Sequence, residues 1–144
     1  MKYASTFYGL ATAGGTLHLQ KLAPTRELAD KMVDERLAAP SNADANDFIW
    51  QVNASRNYDP EPMLGKIRAH VLAINSADDE RDPPETGVMD AAMKKVKNGR
   101  VYLIPATTET FGHGTVFNAT LYAKQLGEFL AAVPGQIADH RTRD

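Results

Sequence analysis

The sequence predicts an α/β chain: a helical first part, then a strand–helix–strand–helix unit whose two strands run parallel. Three observations carry this. Val71-Leu72-Ala73-Ile74 and Val101-Tyr102-Leu103-Ile104 are uninterrupted apolar runs, which suit strands covered on both faces, as in a parallel sheet. Between them Val88, Met89, Ala92, Met93 and Val96 fall on one helical face. Upstream, apolar residues recur at helical spacing among charged ones.

In chain order, residues 1–40 carry Phe7, Tyr8, Leu10, Leu17, Leu19 and Leu22, interrupted by Gly9 and Gly14-Gly15. This predicts two short helices around a glycine break. Gly14-Gly15 is not a dinucleotide fingerprint, because no strand precedes it and the spacing is wrong. Thr25 follows Pro24 as an N-cap for an amphipathic helix built on Leu28, Met32, Val33 and Leu37. Ser41-Asn42-Ala43-Asp44 breaks the chain and offers caps for a helix over 45–55 that holds Phe48, Ile49, Val52 and the lone Trp50. Pro60 and Pro62 make the next stretch a loop.

After the first strand, Pro83-Pro84 opens a helix that Lys94, Lys95 and Lys97 complement at its C-terminal end and that Asn98-Gly99 stops, with Gly99 as a left-handed C′ residue. Pro105 closes the second strand. A long helix is expected after Gly112-His113-Gly114-Thr115 and up to about Ala132, with Phe117, Leu121, Tyr122, Leu126, Phe129 and Leu130 on its core side, and residues 135–144 as a tail. One crossover sets the strands parallel and adjacent, so both following loops leave the carboxyl edge of the sheet, where open α/β sheets place ligand sites.

Composition narrows the function classes. The chain has 144 residues, 43% hydrophobic and 24% charged, which suits one globular domain. A net charge of −2 without a basic block argues against nucleic acid or an anionic membrane as partner. With no cysteine, disulfide frameworks, thiolate zinc sites and cysteine nucleophiles are excluded. No stretch approaches the roughly 18 apolar residues of a membrane span. The region after Lys2 is too polar for a signal peptide, leaving a cytoplasmic location as the default. No cofactor is implied. The acidic loop 78–82 lacks the spacing and glycine of an EF-hand, so no metal site is expected there.

The chemistry concentrates at two loops. Asp78 and Asp79 follow the first strand; Gly112-His113-Gly114 follows the second. An Asp–His pair lets the carboxylate orient the imidazole and stabilise its charged form, while the second ring nitrogen takes a proton from a nucleophile. The glycines around His113 permit a tight, exposed loop.

Leu64-Gly65-Lys66-Ile67-Arg68-Ala69-His70-Val71-Leu72-Ala73-Ile74-Asn75-Ser76-Ala77-Asp78-Asp79, with Pro83-Pro84-Glu85, resembles the penultimate-strand region of the α/β-hydrolase fold. Asn98-Gly99-Arg100 through Ile104-Pro105 and Gly112-His113-Gly114 resemble its last strand and histidine loop. Asp44-Ala45-Asn46-Asp47-Phe48 and Ala54-Ser55-Arg56-Asn57-Tyr58-Asp59-Pro60 are similar to the homoserine O-acetyltransferase-like branch. The resemblance implies a helical cap over residues 1–55, the C-terminal part of the hydrolase core over 56–134, Asp79 as triad acid with Asp78 as fallback, and His113 as base. Homoserine acyltransferases carry an acidic residue after the histidine; Gly114 stands there in this chain, so homoserine as acceptor does not carry over.

In that fold the nucleophile precedes both partners in a G-x-S-x-G elbow. The serines are Ser5, Ser41, Ser55 and Ser76, and none has that setting. The expectation is therefore the C-terminal portion of an ester hydrolase or O-acyltransferase acting on a small ester or acyl substrate, inactive alone, since losing the nucleophile costs about a millionfold in turnover. Two strands alone make a poor sheet and leave an unpaired edge, so self-association or a separate N-terminal half carrying the nucleophile is expected. The alternative is a non-catalytic binding or oligomerisation module with the same half-fold.

Overall fold

The structure, a computed structural model, describes residues 1–134; the expected tail lies outside them. The helical first part forms as its punctuation predicts. Helix α1 (Lys2–Ala11) and helix α2 (Thr16–Leu22) are separated by a turn in which Gly15 adopts φ +68°, a conformation that glycine adopts without a Cβ clash. Helix α3 (Arg26–Ala38) starts at Thr25, whose side-chain oxygen accepts the N–H of Leu28 at 3.4 Å. Helix α4 (Ala45–Ala54) starts at Asp44, whose carboxylate accepts from Asn46 at 2.7 Å and Asp47 at 3.4 Å. These caps satisfy amides that have no partner inside the helix. Tyr8 and Phe48 meet edge-on at 6.1 Å, tying α1 to α4.

Strand β1 (Val71–Ser76) and strand β2 (Gly99–Ile104) pair in parallel, in register from Val71 opposite Gly99 to Ser76 opposite Ile104. A bond from the Ala77 amide to the Ile104 carbonyl at 2.9 Å carries the ladder one step past β1. Among the described residues the sheet has these two strands alone, and the architecture is a mixed α/β one.

Helix α5 (Val88–Met93) is shorter than its apolar periodicity predicts. After Met93 the bonds change to the tighter three-residue spacing, Lys95 to Ala92 and Val96 to Met93, which turns the chain sharply back into β2. Gly99 is not a left-handed cap, since the positive-φ residues among those described are Gly15, Gly87 and Gly112. Its need for glycine is steric: a Cβ there would stand 2.8 Å from the Met93 carbonyl oxygen.

The long helix expected after Gly114 is replaced by two 3-10 turns, Gly112–Phe117 and Ala119–Leu121, followed by helix α6 (Ala123–Ala132). Asn118 causes the break. Its side chain accepts the hydroxyl of Thr120 at 2.6 Å and the amide of Thr120 at 3.3 Å, offering the backbone a local alternative to the helix.

Burial departs most from expectation. Val96 and Ile104 are the buried apolar side chains among the described residues. Val71 to Ile74 are only half-buried, because a lone pair of strands lacks the layers that would cover both faces. Phe117 is 87% exposed and Leu130 61%, so neither serves the core. The accessible surface is 11133 Å², whereas a compact monomer of 15.7 kDa exposes about 7,300 Å².

Candidate functional site

The site forms where both strands end. Asn75 and Ser76, at the end of β1, are buried. The Asn75 side chain accepts the Ser76 amide at 2.8 Å and donates to the Asp82 carbonyl at 2.9 Å, folding residues 77–82 back on the strand. Within this loop Asp79 is 3% exposed, and its Oδ1 accepts the amides of Arg81 at 2.9 Å and Asp82 at 3.0 Å. With one oxygen occupied, the other is held in a single direction.

That direction is His113. Its Nδ1 lies 3.0 Å from Asp79 Oδ2. The imidazole side chain is 34% exposed, and its Nε2 makes no hydrogen bond among the described residues. The ring thus has one nitrogen engaged by a buried carboxylate and the other free, the arrangement a general base requires. A second carboxylate, Asp82, places Oδ2 3.4 Å from the same Nδ1, but its side chain is 64% exposed.

The loop that carries His113 is built from threonines. Thr110 Oγ1 accepts the Thr107 amide at 2.9 Å, and Thr115 Oγ1 accepts the Phe111 amide at 2.9 Å; both threonines are fully buried. Gly112 turns the chain at φ +60°, and His113 follows in the first 3-10 turn.

Of the expected pair, Asp79 and His113 come together. Asp78, the fallback acid, points elsewhere: its carboxylate accepts the hydroxyls of Ser76 at 2.5 Å and Thr110 at 2.8 Å and the amide of Gly112 at 3.3 Å. Of the two aspartates, Asp79 is the one whose carboxylate contacts the His113 ring. None of the serines hydrogen-bonds His113. Ser5, Ser41 and Ser55 are exposed, and Ser76 is buried and committed to Asp78.

Sequence reasoning missed what covers the loops. Helix α2 lies against both of them, from Thr16 in its first turn to Lys21 in its last. Thr16 donates to Glu80 at 2.8 Å, His18 Nδ1 lies 3.3 Å from the Thr108 carbonyl, and Lys21 pairs with Glu109 at 2.5 Å. The rings of His18 and Phe111 are 5.7 Å apart. The Lys21 ammonium, first by its hydrogen bond and then by its charge, holds the Glu109 carboxyl below the usual 4.5. The signal was the paired polar clusters around Thr16 and Thr107–Thr110, which carry no period and no motif.

Asp79, Asp82 and His113 offer ligand atoms all within 4.8 Å of one another, a set able to hold a cation; the same atoms already make the Asp–His contact. Beside them a cavity of about 450 Å³ is lined by Asn75, Arg81, Asp82, Pro83, Val88 and Met89, among others. Among the described residues no helix is long and apolar enough to cross a membrane. Comparison of the chain with protein-family models, curated proteins and solved structures gives no match.

Proposed function

We propose that this chain supplies the acid and the base of an α/β-hydrolase-type acyl-transfer site, as the C-terminal portion of an ester hydrolase or O-acyltransferase of the homoserine O-acetyltransferase-like branch. The observation that carries the reading is the 3.0 Å contact between His113 Nδ1 and the buried Asp79 carboxylate, at the carboxyl ends of adjacent parallel strands. Asp79 fixes the imidazole so that Nε2 faces a nucleophile. His113 takes the nucleophile's proton as it attacks a small ester or acyl substrate, then returns that proton to the leaving group.

The nucleophile is a serine outside these 144 residues. Its oxyanion hole is made by the amide that follows it and by an earlier loop. The large exposed surface supports a part that completes its fold against another segment or another copy. Alone, the chain is inactive.

The test uses the genomic sequence that precedes the codon of residue 1, whether or not it belongs to the same reading frame. Where that DNA encodes strands with a G-x-S-x-G elbow, the joined polypeptide is expected to hydrolyse p-nitrophenyl acetate and to lose this activity with His113→Ala. Retained activity in that variant would remove His113 from the mechanism. Unrelated upstream sequence would favour the non-catalytic binding module.

A further inference from the structure

Asp78 is a carboxylate that the proposed chemistry does not use, yet it has three hydrogen-bond partners, as many as Asp79, and two of them lie on the opposite loop. Its Oδ1 accepts the Ser76 hydroxyl at the end of β1. Its Oδ2 crosses to the other loop, accepting the Thr110 hydroxyl at 2.8 Å and the Gly112 amide at 3.3 Å. Gly112 is the residue before His113, and Thr110 is fully buried. One carboxylate therefore bridges the end of the acid's strand to the backbone that aims the base.

The bridge is closed from above. A Cβ on Gly15 would stand 2.8 Å from Asp78 Oδ2 and 2.6 Å from the Gly112 nitrogen. The turn between α1 and α2 thus lies directly on the carboxylate and limits the space left for water beside it. Hydrogen bonds to a charged acceptor are stronger than neutral ones, and more so away from water.

Resting on the acid–base reading of Asp79 and His113, we infer that Asp78 is the positioning residue of the pair. It holds Gly112 so that the imidazole of His113 presents Nδ1 to Asp79, and the glycine turn of the helical region seals that hold. Asp78 acts through the loop backbone and does not touch the reacting atoms. This accounts for two successive aspartates with divergent directions: Asp79 faces the ring, and Asp78 faces the peptide that carries it.

The readout is the tautomer of His113. A neutral imidazole that donates from Nδ1 to a carboxylate carries its proton on Nδ1, and ring-¹⁵N-histidine NMR distinguishes that form from the Nε2–H form. The spectra are taken on the full chain at alkaline pH, in solution or as a sediment, with His113 assigned through His113→Asn. The wild type is expected to hold the Nδ1–H form. Asp78→Ala is expected to lower its ratio to the Nε2–H form roughly fivefold, the equilibrium equivalent of one net hydrogen bond. Asp78→Asn, whose amide oxygen can accept from Thr110 and Gly112 while its NH₂ meets Ser76 Oγ, is expected to restore it.

An unchanged ratio in a folded Asp78→Ala chain would overturn the inference while leaving the Asp79–His113 pair intact. If circular dichroism shows that this variant does not fold, Ser76→Ala carries the test with the same expected direction of change and the same overturning result. It removes the hydroxyl that anchors the other oxygen of the Asp78 carboxylate and leaves the Thr110–Thr107 bonds of the histidine loop intact. A wild type without the Nδ1–H form would overturn the pair itself, and the positioning role with it.

Discussion

Gly15 and Gly112 meet backbone to backbone: a Cβ on Gly15 would lie 2.6 Å from the Gly112 nitrogen, and one on Gly112 would lie 2.8 Å from the Gly15 nitrogen. Both residues also have positive φ, 68° and 60°. The helical first part and the histidine loop are thereby locked at a distance that admits no side chain on either partner.

Gly15→Ala is therefore expected to destabilise the chain by about 1–3 kcal/mol, and to raise amide hydrogen exchange over residues 111–117. Gly87 is the control. It has φ +67° but nothing within 4 Å of a Cβ, so Gly87→Ala carries backbone strain alone, about 1 kcal/mol, with no change in exchange at the histidine loop. Equal exchange profiles for the two variants would show that the close approach is not what holds the loop.

The two carboxylates near His113 differ in worth. Asp79 is buried at 3.0 Å, and Asp82 is largely exposed at 3.4 Å. In a polypeptide that also carries the nucleophile, Asp79→Asn is expected to lower turnover about ten-thousandfold, the loss seen when a serine-protease triad aspartate is so replaced. Asp82→Asn is expected to stay within a few-fold, as exposed ion pairs contribute little. Esterase rates of the two variants decide it; a larger loss for Asp82→Asn would exchange the roles.

Acidification should release α2 from the histidine loop. Because Lys21 holds the Glu109 carboxyl below the usual 4.5, the tie is present above that value and is lost as pH falls through the lowered one. Amide exchange over residues 16–22, taken relative to the intrinsic rate at each pH, is therefore expected to rise between about pH 5 and more acidic solution, and Glu109→Gln should remove that rise. Both side chains are exposed, so the change is local. A rise that persists in Glu109→Gln would assign it to another group.

With Val96 and Ile104 as its buried apolar side chains, the chain alone should associate. Sedimentation is expected to show species larger than 15.7 kDa that bind an apolar dye. Val101→Lys with Leu103→Lys, placed at exposed positions on β2, should shift the distribution toward monomer, since charges on a strand oppose edge pairing. A cooperative melt from a monomeric wild type would count against an incomplete fold.

Local chemistry was legible where one residue decides it. Thr25 announced its helix, Gly14-Gly15 its turn, and the two apolar runs their strands; the 41–44 break offered several caps, of which the structure uses Asp44. Helix lengths were less legible, because Asn118 and the tight return after Met93 act through contacts that periodicity does not describe. The apolar runs promised a covered sheet, but a run records only that a strand can be buried, and what would cover this one is not among the described residues.

The sequence by itself determined the order of elements, the parallel crossover, and the arrival of an aspartate pair and a histidine at one sheet edge. Only the tertiary structure decided between the aspartates. Asp78 and Asp79 are identical in composition and adjacent in the chain, so no pattern separates them. Their directions diverge because the loop after β1 folds back through Asn75, sending the Asp79 carboxylate to the His113 ring and the Asp78 carboxylate to the backbone that carries it.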